Sequence, residues 1–130
     1  MADKKTRYKI PNGVKNEAKQ GRDLRTMHGY GGGKVTKSIN YKLRMQKDVG
    51  YRTAVKIDTY YRRHEDVDPK GENFDNRKQP SKGYIMWKMM GGNSGQSWSR
   101  RLKKTLDVIQ KRERLNKINR TLEAIHGMVR

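Results

Sequence analysis

Apolar side chains along this chain recur mostly at intervals of three and four residues, the period of a helix buried on one face. Ser38–Asp48 reads as a helix with Ile39, Leu43 and Gln46 on one side and Tyr41 and Met45 beside them, closed by Gly50. Tyr51–His64 is the stronger pattern. Ala54, Ile57, Tyr61 and His64 align, while Arg52, Lys56, Arg62 and Arg63 fall mostly off the stripe. The acidic run Glu65-Asp66-Val67-Asp68 and then Pro69 should end that helix. Lys70–Gln79 is polar and reads as an exposed loop.

Pro80-Ser81 suits a helix start, with the Ser81 hydroxyl able to accept from an early backbone N–H. Tyr84, Ile85, Met86, Trp87, Met89 and Met90 are apolar around nearly the whole circumference, so this segment is expected to be the most buried, as a helix or else as a short strand. Gly91-Gly92 makes a stop, and Asn93 with Gln96 resembles a capping pair for the next helix. From Ser94 the chain reads as helical almost to its end. Leu102, Leu106 and Ile109 form one seam; Leu115, Ile118, Leu122, Ile125 and Val129 form a second, out of register with the first. The helix should therefore bend near Lys111–Arg114, or its second half should pack on a different surface.

Residues 1–37 show no sustained period and read as a basic, glycine-containing arm, partly disordered, with a short helix over about Asn16–Arg25 that Gly21 weakens. The expected fold is all-α: an arm over 1–37, a small helical body over 38–110 and a long C-terminal helix extending through 111–130.

Charge changes this picture from a fold to a partner. Thirty-two Lys and Arg face 13 Asp and Glu, a formal net charge of +19 on 130 residues. Residues 1–37 carry net +7 and residues 81–130 net +9, while 38–80 carry only +3. An excess of that size implies a polyanionic partner, and nucleic acid is the leading one, DNA favoured, because phosphate neutralisation releases counterions. Only 32% of the chain is hydrophobic, so the core must be small. Cysteine is absent, which excludes disulfides, thiolate metal sites and thiol catalysis. Neither a membrane-spanning run nor the apolar core of a secretion signal is expected.

Three motifs stand in order: Tyr60-Tyr61-Arg62-Arg63-His64-Glu65, Pro80-Ser81-Lys82-Gly83-Tyr84-Ile85-Met86-Trp87, and Gly91-Gly92-Asn93-Ser94-Gly95-Gln96-Ser97-Trp98. Over roughly residues 38–105 this ordering resembles an uncharacterised family of small domains in tailed bacteriophages and large DNA viruses. In that family an Arg-His-Glu helix end precedes a Ser-Lys-Gly start and a Trp-Gly-Gly-x-x-Gly-x-x-Trp turn. Met90 stands where the first Trp of that turn is expected. The resemblance implies a viral origin, among virion or packaging proteins in the virion or host cytoplasm, and no activity.

Candidate chemistry is sparse. Gly29-Tyr30-Gly31-Gly32-Gly33-Lys34 invites a phosphate-loop reading, but His28 replaces the first glycine and Val35 the hydroxyl residue. It reads as a flexible basic loop that can lay backbone N–H groups and Lys34 against a phosphate. His64, Glu65, Asp66 and Asp68 gather metal-type donors, and a metal-dependent nuclease is one alternative; the structural reading has the acids end the helix and pair with Arg62, Arg63 or Lys70. Asp66-x-Asp68-x-Lys70-Gly71 echoes a calcium loop, with Lys70 and Arg77 where oxygen ligands belong. Trp87, Trp98, Tyr60, Tyr61 and Tyr84 are expected in the core. No catalytic residue, metal ligand or cofactor site is assigned.

The sequence thus assigns phosphate contacts to Lys4, Lys5, Arg7, Lys9, Arg22, Arg25 and Lys34 in the arm. It assigns more to Arg100, Arg101, Lys103, Lys104, Lys111, Arg112 and Arg114 on the last helix, whose basic run continues through Lys117 and Arg120. Positions 100, 103, 104, 111 and 114 share a side opposite the Leu102–Ile109 seam. Nothing indicates base-specific readout. The other alternative is a capsid or ribosome-like assembly protein whose last helix docks on a protein partner.

Overall fold

The computed structural model describes residues 4–71 and 74–128 of the chain. Met1, Ala2, Asp3, Glu72, Asn73, Val129 and Arg130 lie outside the described residues, and with them the last member of the second seam. The order is β1 (Tyr8–Lys9), α1 (Asn12–His28), α2 (Lys34–Met45), β2 (Asp48–Val49), α3 (Tyr51–His64), α4 (Lys82–Met89) and α5 (Gly92–Met128). A 3-10 turn, Asp68–Lys70, stands between α3 and α4. The all-α expectation holds. The two short strands pair antiparallel, Tyr8 opposite Val49 and Lys9 opposite Asp48, and pin the chain start beside α3.

The stretch read as an arm is instead a core element. Ile10, Val14 and Ala18 are almost completely buried, and α1 packs chiefly on α4 and α5. Burying Val or Ile contributes about 1.5–3 kcal/mol each, enough to order a segment that charge alone would leave extended. Sequence reasoning missed this because the buried stripe is Val14-Ala18-Gly21, whose members are mostly small. Gly21 does not weaken the helix by accident. A Cβ there would lie 2.2 Å from the backbone nitrogen of Met89, so glycine is what lets α1 and the end of α4 approach so closely.

Asn40 joins three helices at that crossing. It is 2% exposed, and its Nδ2 donates to the carbonyls of Ala18 (3.0 Å) and Met89 (2.8 Å) while Oδ1 accepts from Arg44 Nε (2.8 Å). Lys15 Nζ donates to carbonyls at the end of α2, those of Leu43 and Gln46. α3 matches its expected bounds, and α4 is a helix, not a strand. The Ser81 hydroxyl accepts from the Tyr84 N–H at 3.0 Å, as its position implies. Trp87, Tyr61 and Trp98 lie in the core, with Tyr61 edge-on to Trp87 at 4.8 Å between centroids.

The Gly91-Gly92 turn leads directly into α5, with Gly91 at φ 114°. Asn93 and Gln96 do not form the expected capping pair. Asn93 Oδ1 accepts from Trp87 Nε1 at 2.9 Å, and Gln96 Nε2 donates to Glu65 at 3.2 Å. The start of α5 is capped from α1 instead: Glu17 Oε2 accepts from the Ser94 N–H at 2.8 Å and Oε1 from the Asn93 N–H at 3.3 Å. α5 then runs unbroken past the body. No described residue from 110 to 128 is buried, so the second seam belongs to the same unbroken helix as the first but is not packed on the body.

Candidate nucleic-acid interface

The first turn of α3 offers bare backbone donors. Its N-cap is Gly50, which brings no side-chain acceptor, and no acid stands in the first turn. The first N–H groups of a helix have no partner within it, and they carry the positive end of the helix dipole. A groove of about 590 Å³ opens over this turn, lined by Gly50, Tyr51, Arg52 and Thr53 from α3 and by Lys4, Arg7 and Lys42 around it. Thr53 Oγ1 lies 3.3 Å from Lys42 Nζ, which fixes that ammonium beside the turn. Arg7 is anchored by Asp48, with Nε and Nη2 2.9 and 2.8 Å from Oδ1.

A second groove, about 960 Å³, follows the outer part of α5 and is lined by Arg114, Lys117, Arg120, Thr121 and Glu113, again with Lys4. Lys4 Nζ sits 2.7 Å from Glu113 Oε1 and lines both grooves. The two therefore form one tract. Seven cations border it (Lys4, Arg7, Lys42, Arg52, Arg114, Lys117 and Arg120), with Glu113 the acid among its lining residues.

The residues assigned from sequence divide among several places. Lys4, Arg7 and Arg114 belong to the tract. Arg101, Lys103, Lys104 and Lys111 are exposed along α5, on the side away from its buried Leu106 and Ile109. Arg100 is held by Glu65 at 3.2 Å, at the edge of the α3–α5 contact. Arg112 is half-buried on α5. Lys5 is exposed in the turn before β1, Lys9 is exposed on β1, and Lys34 is exposed at the start of α2. Arg25 Nε donates to the Gly31 carbonyl at 2.9 Å, which closes the loop after α1. That glycine loop serves packing: Gly31 has φ 99°, and a Cβ there would meet Ile85 at 2.7 Å.

Lys42, Arg44 and Arg52 were not assigned from sequence. Lys42 and Arg44 sit on a helix read for its apolar face, and Arg52 was noted only as falling off the apolar stripe of its helix. Its place two residues after Gly50, where a helix begins without a side-chain cap, was the available signal. Arg22, which was assigned, has Arg44 as its neighbour across α1 and α2. Burial and the like charge of Arg22 together hold the Arg44 guanidinium below its ordinary range. Arg44 also lies 5.9 Å from the centroid of Tyr41.

Three acids in and just after α3 are committed to structure. Asp58, buried, pairs with Arg62 at 3.1 Å. Asp68 lies 3.1 Å from His64 Nδ1, and Glu65 holds Gln96 and Arg100. His64 stacks on Tyr60 at 4.6 Å. Among the described residues no three His, Asp or Glu side chains gather as a metal-binding group, and no helix is long and apolar enough to cross a membrane. No family model, curated protein or solved structure matches this chain.

Proposed function

We propose that this protein binds the phosphate backbone of nucleic acid, DNA foremost, without strong sequence preference. The observation that carries this reading is the shared position of Lys4, which makes the uncapped start of α3 and the cationic face of α5 one continuous tract. Backbone donors and the dipole at α3 suit a phosphate oxygen, and the lysines and arginines beyond it suit successive phosphates along a strand. Like charges gathered this way repel one another, so a bound polyanion relieves a cost that the free protein bears. Among the described residues the tract matches no recognisable base-reading module, which supports indifference to sequence.

In this reading the protein does no chemistry, and His64, Glu65, Asp66 and Asp68 belong to the fold. The resemblance of residues 38–105 to small phage and viral domains supports a virion- or packaging-associated setting, in the virion or host cytoplasm. Mobility-shift titrations with two DNA duplexes of equal length and unrelated sequence test the proposal. Affinities agreeing within about threefold are expected, since phosphate contacts are sequence-independent. No binding, or a preference of a hundredfold or more, would contradict it.

A further inference from the structure

α5 changes the side on which it is apolar. Leu106 and Ile109 are buried against the body. At 3.6 residues per turn, Leu115, Ile118, Leu122 and Ile125 fall on the opposite side of the same helix. These four are 51%, 54%, 58% and 53% exposed, and Val108, on the same side at the start of the seam, is 52% exposed. No Gly or Pro interrupts the sequence between Gly95 and Gly127. A stiff helix therefore points this seam away from its own body, and the described chain does not cover it.

The spacing says what kind of surface would. Val108, Leu115 and Leu122 recur every seven residues, with Ile118 and Ile125 three residues after the two leucines. These are the first and fourth positions of a heptad, and Lys111 takes the remaining fourth position. Such a seam packs knobs-into-holes on a helix with the same repeat, and copies of this chain carry it by construction. We propose that residues 108–128 are a self-association helix on which copies of this chain pair in parallel.

Direction follows from matching the ends. In parallel register all five apolar positions meet their equivalents. Asp107 then comes opposite Arg112 of the next copy, at the flanking positions where charge pairs form in a coiled coil. An antiparallel pair centred on the 115–125 seam would match Leu115 with Ile125 and Ile118 with Leu122 but leave Val108 outside the matched apolar positions. The bodies do not interfere with parallel pairing, because they sit on the side of α5 opposite the seam. Upstream of Val108 the seam side turns cationic, with Arg100 and Lys104. Pairing therefore stops there and brings two basic strips side by side. Leu in the first heptad position with Ile in the fourth favours three or four strands over two, so assemblies of two to four chains fit the seam.

This proposal does not depend on nucleic-acid binding, and its response to salt has the opposite sign. The association is driven by apolar contact and opposed by a large like charge on each copy, so screening strengthens it. Sedimentation equilibrium of the full chain, free of nucleic acid, at about 0.1 M and 0.5 M salt should give a mass above one chain that rises with salt. Ile118→Asp with Leu122→Asp should be monomeric at both. Its near-ultraviolet circular dichroism should be unchanged, because neither side chain is buried in a single chain. Since the chain has no cysteine, Ile125→Cys alone should form a disulfide-linked pair on oxidation, which parallel register requires. A monomeric natural chain at both salts would overturn the proposal. So would a double variant that still associates, or an Ile125→Cys that links only to Leu115→Cys.

Discussion

Glu17 on α1 caps a helix that begins 75 residues later, accepting the Ser94 N–H at 2.8 Å while its other oxygen holds Lys88 Nζ at 3.1 Å. Burial would raise the Glu17 carboxyl, but the hydrogen bonds from Ser94 and the ammonium of Lys88 outweigh it, and the group titrates below its ordinary 4.5. One side chain thereby fixes α1, α4 and the start of α5 to one another, which sets the direction in which the long helix leaves the body.

Replacing that carboxylate, Glu17→Gln, should destabilise the fold by about 1–2 kcal/mol, the usual worth of a helix cap. Because the folded carboxyl is depressed, its contribution is complete above pH 4.5 and is lost as pH falls through the lowered folded value. Urea unfolding at pH 7 should therefore separate the natural chain from Glu17→Gln, and the gap should close in acid. A gap that persists unchanged well below pH 4 would count against this role.

Gly21→Ala sets two effects against each other. Helix propensity alone favours alanine by about 1 kcal/mol. The added methyl, however, would lie 2.2 Å from Met89 N and 2.6 Å from Met89 Cα, which are backbone atoms that cannot step aside. Forced repacking of this kind costs about 1–3 kcal/mol. Packing should win, and thermal unfolding of Gly21→Ala should show a lower Tm than the natural chain.

Where a stripe of large apolar residues marked a helix, it was legible from sequence: α3 to its bounds, α4 as the most buried segment, and α5 almost to its end. The opening helix was not, because Ala18 and Gly21 contribute by being small, and small residues carry little hydrophobic signal. The capping of α5 was misread for a different reason. Asn93 and Gln96 have the right local spacing, yet a carboxylate from α1 occupies that role, and no local pattern reveals a partner 77 positions away. In the candidate site, the charge excess was plain in the composition. Its geometry was not, because the tract joins Lys4, Lys42, Arg52 and Arg114 from four parts of the chain.

The tract should dominate binding over the rest of the charged surface. Lys42→Glu with Arg52→Glu removes two cations from the start of α3, and DNA affinity should fall about tenfold or more, since each lost phosphate contact also weakens the counterion term. Lys78→Glu with Lys82→Glu makes the same change in net charge on residues that line neither groove. It should cost much less. Equal losses in fluorescence anisotropy titrations would indicate a response to net charge alone.

The salt dependence of DNA binding by the natural chain tests the central claim most directly. If most of the tract's seven cations each meet a phosphate, log K against log salt should fall linearly with a slope of about −4 to −6. Affinity should then drop by about a thousandfold between 50 and 200 mM salt. A slope near zero, or no measurable binding at 50 mM, would contradict phosphate-backbone recognition.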